Sequence, residues 1–141
     1  MSADEGPFPG GVGRRHDARE RAFHLLYEAE IKGVPVTEVL AELPLLPDPF
    51  AVELVEGVAA NADEVDALVA GHARNWELSR MPALDRALLR LATFELAYRP
   101  DVPTAAVINE AVELAKQYST DDSGRFVNGV LSAVAADVRV G

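Results

Sequence analysis

The sequence predicts an all-α protein, built as one helical bundle with two packed halves. Apolar residues recur three and four positions apart along nearly the whole chain, which is the spacing of amphipathic helices. No segment shows the alternation of apolar and polar residues, bounded by hairpin turns, that is typical of a strand. Proline, glycine and short polar connections separate the periodic segments, as in a bundle of short helices.

The helices follow from this spacing and from the residues that end each apolar run. The pattern predicts helices at approximately residues 15–32, 37–43, 50–72, 82–99 and 104–118, and a last helix that carries Val127–Val134. Gly33 and Pro35 end the first helix, and the stretch "PLLPDP" is a proline-rich connection. A less regular stretch near residues 74–82 divides the bundle into its two halves.

Length and composition indicate one folded domain. The chain has 141 residues, of which 49% are apolar, enough to fill a single core. We assign residues 14–141 to this domain and interpret the acidic, glycine- and proline-rich residues 1–13 as a disordered arm. The arm lacks the basic start and apolar stretch of a signal peptide. Charged residues interrupt every apolar run, so none is long enough to span a membrane, and the absence of cysteine excludes disulfides. We therefore expect a cytoplasmic protein with no disulfide and no membrane contact.

The net charge limits the kinds of partner. Twenty-three acidic residues against thirteen basic ones give a net charge of −10. A nucleic-acid-binding protein is usually basic, because cationic side chains neutralise phosphates. Any binding to nucleic acid must therefore depend on a local basic patch or on a partner protein.

The sequence contains no strong signal of catalysis. The three histidines are not four residues apart, as the two ligands of a helical zinc site would be. No glycine-rich phosphate loop follows a strand, and no serine lies in a nucleophile elbow. We expect no enzymatic activity, no cofactor and no metal site.

The stretch "GRRHDARERAFHLLY", residues 13–27, is the first candidate binding segment. It contains four arginines at the start of the first helix: Arg14, Arg15, Arg19 and Arg21. Arginine suits phosphate because its planar guanidinium donates two hydrogen bonds at once. The alternative is a solvated helix start, in which Asp17 and Glu20 pair with the arginines. Tyr27 has two interpretations as well, since it can stack on a base or pack on a neighbouring helix.

The turn "STDDSGRF", residues 119–126, is the second candidate segment. Ser119 and Asp122 match the capping-box pattern ahead of an apolar run, which predicts that they cap the last helix. Arg125 and Phe126 combine a positive charge with an aromatic ring at a helix start, as in proteins that bind single-stranded RNA. The alternative for Phe126 is a place in the core.

Three blocks of the sequence, "LDRALLRLATFEL", "DVPTAAVINEAVELAK" and "DDSGRFVNGVL", resemble the NusB family of bacterial transcription antitermination factors. The likeness covers about residues 14–136. It implies an all-α fold of six or seven helices without enzymatic activity. It also implies binding of boxA, a short single-stranded element of nascent RNA. The implied protein partner is NusE, a small-subunit ribosomal protein, within an antitermination complex on the RNA polymerase that transcribes ribosomal RNA.

The resemblance also implies roles for individual residues. The RNA-contacting positions of the family fall on Arg14, Arg15, Arg19, Tyr27, Asp122, Arg125 and Phe126. The position at which the family meets NusE falls on Asp85. His16 and Asp17 interrupt the run of arginines that some members carry.

Two other functions remain open. The same helical domain resembles the RNA-binding part of certain ribosomal RNA cytosine methyltransferases, although these need a cofactor-binding domain and a catalytic cysteine as well. A module that binds only proteins is the third possibility. A homodimer that covers the arginines of the first helix is also compatible with the sequence.

Overall fold

The computed structural model describes residues 11–74 and 76–139. They form seven α-helices and one short 3-10 helix, with no strand in these two ranges. The helices are α1 (Gly11–Lys32), α2 (Val36–Ala41), α3 (Pro49–Ala60), α4 (Ala62–His72), α5 (Ala83–Tyr98), α6 (Thr104–Tyr118) and α7 (Asp121–Val138), with the 3-10 helix at Leu78–Arg80. The predicted all-α fold is confirmed.

The start of the chain differs slightly from the prediction. Residues 1–10 of the expected arm lie outside the described residues. Residues 11–13, which we assigned to the arm, belong to the first turn of α1.

The helices pack in two groups that share α5. The first three helices contact one another, and α5, α6 and α7 form the second group. Helix α5 joins the groups, because it also packs against α1, α3 and α4. Ten of its sixteen residues are buried, including Leu88 and Leu89 at 1% and 0% exposure. The predicted apolar face of α1 is buried against this core.

The long helix predicted over residues 50–72 is two helices, and that prediction is wrong. The break lies at Asn61, whose backbone leaves the helical region with φ −117° and ψ 26°. Its side-chain amide donates to the carbonyl oxygen of Gly57 at 2.8 Å, which ends α3. Val65 and Val69 are fully buried beyond the break, so the apolar spacing continues across it and conceals it.

The cap of α7 lies one residue later than the sequence predicts. Thr120, and not Ser119, is the N-cap, because its hydroxyl oxygen accepts a hydrogen bond from the backbone N–H of Ser123 at 3.0 Å. Asp122 lies in the first turn of α7, where a negative charge faces the positive end of the helix dipole. Thr120 fits this role because a threonine hydroxyl satisfies an amide that has no partner within the helix.

Helices α3 and α5 approach each other closely at one glycine. A Cβ atom added to Gly57 would lie 2.1 Å from the Phe94 ring, far closer than non-bonded carbon atoms can approach. The absence of a side chain at Gly57 therefore lets the aromatic ring of α5 reach the backbone of α3.

Among the described residues, no helix combines the length and apolarity required to cross a bilayer.

Candidate nucleic-acid interface

The start of α1 presents two exposed arginines. Arg14 pairs with the carboxylate of Asp48, and this hydrogen bond holds the pKa of Asp48 below its usual value. The guanidinium carbon of Arg15 lies 4.9 Å from the centre of the Phe50 ring, in a cation–π arrangement. Both arginines lie at the surface, where they can reach a phosphate. Neither forms an ion pair with Asp17 or Glu20, which the solvated-start alternative required.

Arg19 does not lie with them. It is 5% exposed and donates from Nε to Oε2 of Glu95 at 2.9 Å, and from Nη2 to Oε1 at 3.0 Å. Glu95 is itself buried in the middle of the core helix α5. The structure therefore places Arg19 in an internal ion pair, and this arrangement opposes the phosphate contact that we expected of it. Arg21, in contrast, is exposed.

Tyr27 is half-buried on α1. Its ring packs against the core, with its centre 6.2 Å from that of the buried Phe23. The packing accounts for one side of the ring, so the two interpretations of Tyr27 do not exclude each other. Its contact with RNA remains a prediction.

The turn at residues 119–126 combines exposed charge with an aromatic pair. Arg125 and Asp122 pair with each other at the surface, with side chains 73% and 86% exposed. Phe126 is half-buried, and its ring centre lies 5.7 Å from that of Trp76, which is 48% exposed. The structure thus adds a second aromatic ring that the sequence did not single out, because Trp76 lies outside every periodic segment.

Tyr118 connects α1 to this turn. Its hydroxyl lies 3.1 Å from Nε2 of His24 and donates to the carboxylate of Glu20. Its ring centre is 5.6 Å from that of Phe23, so Tyr118 packs directly on α1 while it ends α6, one residue before the turn. Tyr118 therefore places the middle of α1 beside the end of α6 that leads into the turn, although the two segments are about 90 residues apart in sequence. Sequence reasoning missed Tyr118, because its contacts with α1 form only in the folded protein.

Asp85 lies beneath the turn and not at the surface. It is 5% exposed, and its carboxylate accepts a hydrogen bond from the Ser123 hydroxyl of α7. It lines a cavity of about 300 Å³ together with Trp76 and Phe126. A direct contact with NusE would require a side chain of the partner to enter this cavity. The predicted role of Asp85 in binding NusE stays a prediction.

One cluster on α1 has the residue types of a metal site. Ligand atoms of His16, Asp17 and Glu20 lie within 4.8 Å of one another. His16 Nδ1 bonds the carboxylate of Glu110 on α6, and this bond raises the pKa of His16 above 6.5. Each member of the cluster is at least partly exposed, and such groups are common on protein surfaces without an ion. The expectation that the chain holds no metal therefore stays a prediction.

The chain is similar to known proteins in sequence and in fold. The model of the NusB family matches residues 16–136. A transcription antitermination protein NusB from Saccharopolyspora erythraea is 50% identical over 130 residues, which cover 88% of this chain and 88% of that protein. The protein of the same name from Salinispora tropica is 51% identical over 128 residues, 86% of this chain and 94% of that one.

Solved structures share the fold. NusB of T. maritima superposes with a TM-score of 0.79 at 32% identity, over 87% of this chain and 91% of that one. A complex of the antitermination factors NusB and NusE with double-stranded RNA contains a chain with a TM-score of 0.77 at 28% identity, over 89% of this chain and 98% of that one. The family match includes the turn at residues 119–126 and the first candidate segment from His16 onward, and the sequence and structural matches extend over most of each relative. The chain belongs to the NusB family.

Proposed function

We propose that this chain is a transcription antitermination factor that binds single-stranded boxA RNA together with NusE. It acts within the antitermination complex on the RNA polymerase that transcribes ribosomal RNA operons. The observation that carries this proposal is the contact of Tyr118 with His24, because it joins the arginine-bearing helix α1 to the turn at residues 119–126. In this proposal one RNA strand runs from α1 across Tyr118 to the turn. The name of the solved complex, in which a NusB chain occurs with NusE and double-stranded RNA, supports NusE and RNA as partners.

Arg14 and Arg15 contact phosphates in this proposal, while Tyr27 and Phe126 offer rings to unpaired bases. Arg15 suits its role because the Phe50 ring orients its guanidinium without using its hydrogen-bond donors. From α1, Arg15 and Tyr27 span about 18 Å along the helix axis at 1.5 Å per residue. This length exceeds a single contact and fits an extended segment of RNA.

The charge balance favours a basic partner. The net charge of −10 repels RNA on average, and the internal pairing of Arg19 removes one cation from the expected patch. NusE, as a basic ribosomal protein, supplies phosphate contacts that this surface lacks. We therefore expect the pair to bind boxA RNA far more tightly than the chain alone.

The chain acts without catalysis in this proposal, in the cytoplasm, where transcription takes place. The curated relatives described above are antitermination proteins that match over most of their own length, which favours this function over a methyltransferase module. The exposed arginines and the aromatic pair at residues 76 and 126 favour this function over a module that binds only proteins.

Fluorescence anisotropy of a labelled boxA oligoribonucleotide tests the proposal. The RNA is titrated with the chain, with NusE, and with an equimolar mixture, beside an oligonucleotide of the same length and scrambled sequence. We expect the mixture to bind boxA at least tenfold more tightly than either protein alone. Equal affinities for boxA and the scrambled RNA, with or without NusE, would refute the proposed function. Light scattering of the same samples shows whether a homodimer competes with RNA.

A further inference from the structure

A second cavity, apart from the one that Asp85 lines, lies where five helices meet. We call it the Arg90 cavity; its lining includes Leu26, Val36, Val58, Ala59, Ala87 and Arg90. These residues belong to α1, α2, α3 and α5, and α4 adds Ala62 and Asp66. None of the residues predicted to contact RNA lines this cavity, so it is separate from the candidate nucleic-acid interface.

The inner part of the Arg90 cavity is apolar. Its volume is about 290 Å³, and Leu26, Val36 and Val58 are buried around it. The space exists because four of the lining residues have only a methyl side chain: Ala29, Ala59, Ala62 and Ala87. An apolar cavity of about 150 Å³ can bind benzene, and liquid water fills about 30 Å³ per molecule. The Arg90 cavity therefore has room for a ring and a small substituent.

The polar groups lie at the opening of the cavity, where Arg90 binds two acids. Its Nε and Nη2 donate to the carboxylate of Asp66 at 2.7 and 3.0 Å, and its Nη1 donates to Oε2 of Glu30 at 3.0 Å. A guanidinium carries five N–H donors, so two of them have no acceptor among the described residues. The two carboxylates keep lone pairs that can accept. The opening thus offers both donors and acceptors to a ligand.

The charges at this opening cancel. Arg86 also donates to the carboxylate of Glu30, so two arginines stand against two acids, Glu30 and Asp66. A charged ligand would lose hydration on entering the cavity and would meet no net opposite charge there. A neutral ligand avoids this loss, so the opening favours a neutral polar group.

We propose that the Arg90 cavity binds a small neutral molecule that combines one apolar ring with one amide group. The ring fills the apolar part of the cavity. The amide carbonyl oxygen accepts from the free N–H groups of Arg90, and the amide N–H donates to the carboxylate of Asp66 or Glu30. An amide matches the opening because it presents an acceptor beside a donor without net charge. The inference does not depend on the proposed function.

An apolar side chain of a protein partner is the competing occupant. It would fill the inner part of the cavity but would leave the two free N–H groups of Arg90 without an acceptor. A second copy of this chain is disfavoured as well, because two chains of net charge −10 repel each other. The small neutral ligand is the occupant that meets both the apolar and the polar requirements.

Three probes of equal size and different charge test the inference. Benzamide is neutral, while benzoate and benzamidinium carry one negative and one positive charge at neutral pH. Each is titrated into the full chain with ¹³C-labelled alanine, and the methyl signals of Ala59 and Ala87 are followed by NMR. Ala115 of α6 is the control signal, because it does not line the cavity. We expect benzamide to shift the two cavity signals with a dissociation constant of about 1 mM, and the charged probes to bind at least tenfold more weakly.

Two pairs of variants locate this preference in the cavity. Ala59→Leu fills the space and should abolish benzamide binding without lowering the melting temperature, while Ala60→Leu, at an exposed position outside the lining, should bind like the parent. Asp66→Asn leaves one positive charge in excess at the opening, so benzoate should bind at least tenfold more tightly to this variant than to the parent. Asp63→Asn is its control, because Asp63 is an exposed acid of the same helix and does not line the cavity.

The outcomes decide between the occupants. No saturable shift with benzamide in the parent chain refutes the proposal, and so do equal affinities for the three probes. Benzamide binding that survives in a folded Ala59→Leu variant refutes it as well. If Ala59→Leu does not fold, the order of the probes in the parent and the gain of benzoate binding in Asp66→Asn decide. If no probe binds the parent and a folded Ala59→Leu variant binds NusE tenfold more weakly, the cavity receives a side chain of the protein partner and the proposal fails.

Discussion

Arg19 of α1 and Glu95 of α5 form a buried bidentate ion pair, in which Nε lies 2.9 Å from Oε2 and Nη2 lies 3.0 Å from Oε1. The pair connects the arginine-bearing helix to the central helix of the bundle. Removal of one partner leaves a charge without compensation in the core, which costs far more than the loss of a surface ion pair. The pair therefore fixes the position of α1, and with it the positions of Arg14 and Arg15.

We expect Arg19→Ala and Glu95→Gln each to lower the free energy of unfolding by about 3 kcal/mol or more, measured by urea denaturation. Arg80→Ala is the control, because Arg80 is 79% exposed and pairs with Glu77 only at the surface. It should change stability by less than about 0.5 kcal/mol. An Arg19→Ala protein that is as stable as the parent but binds RNA weakly would contradict the structural role and restore Arg19 to the RNA surface.

Gly57 and Gly71 provide a matched test of the packing of α3 against α5. Gly57→Ala places a methyl group against the Phe94 ring, so we expect a loss of about 1–3 kcal/mol in the free energy of unfolding. Gly71→Ala in α4 meets no atom within 4 Å and should stabilise the helix by about 0.5–1 kcal/mol. Thermal unfolding measures both variants, and a lower melting temperature for Gly57→Ala with a higher one for Gly71→Ala would confirm this packing. Shifts of the same sign would contradict it.

The His16–Glu110 pair predicts a dependence of stability on pH. The hydrogen bond that His16 donates to the Glu110 carboxylate raises the pKa of His16 above 6.5, and the nearby Glu20 and Asp17 carboxylates act in the same direction. Folding therefore favours protonated His16. Its contribution to stability is complete below pH 6.5, the pKa of the unfolded chain, and is lost as the pH rises through the higher pKa of the folded protein.

Glu110→Gln should consequently lower the melting temperature more at about pH 5.5 than at about pH 8.5. Glu113→Gln is the control, because it removes the same charge from an exposed position of the same helix. Calorimetric scans at both pH values measure the difference. An equal loss at the two pH values would show that His16 protonation is not coupled to folding.

Asp122 and Arg125 should affect RNA binding in opposite directions. They neutralise each other in an exposed ion pair, so Asp122→Asn both removes a negative charge near the phosphates and releases Arg125 to contact them. We expect RNA affinity to rise severalfold for Asp122→Asn and to fall for Arg125→Ala, most clearly at low salt. Thr120 caps the helix, so the fold should tolerate both changes. Affinities equal to that of the parent in both variants would show that this turn is only a helix boundary.

The sequence predicted those features that depend on local spacing. The apolar faces of α1 and α7 are buried as expected, since a helical period places their members on one side. The break at Asn61 was missed because it keeps the phase of the apolar residues. The position of Arg19 could not be predicted, because its partner Glu95 is 76 residues away in sequence and faces it only in the folded bundle.

In the candidate site, too, the sequence marked residues that form local patterns and missed those whose contacts form only in the folded protein. Arg14 and Arg15 were among four clustered arginines, and the family resemblance, together with Arg19, singled them out. Trp76 and Tyr118 were not identified, because a ring in a connection or at a helix end has no periodic pattern to mark it. Their importance arises from contacts with Phe126 and His24, which tertiary packing creates.

The dependence of RNA affinity on salt tests most directly the claim that the start of α1 contacts phosphates. The comparison uses boxA RNA with NusE present, and it includes the parent, the Arg14→Ala/Arg15→Ala double variant and the Arg80→Ala control. Each lost phosphate contact should reduce the slope of log affinity against log salt by about 0.7 for single-stranded RNA. We expect the double variant to bind more weakly with a slope shallower by about 1.4, while Arg80→Ala matches the parent. Equal slopes and affinities for all three proteins would contradict the assignment of α1 as the RNA-binding helix.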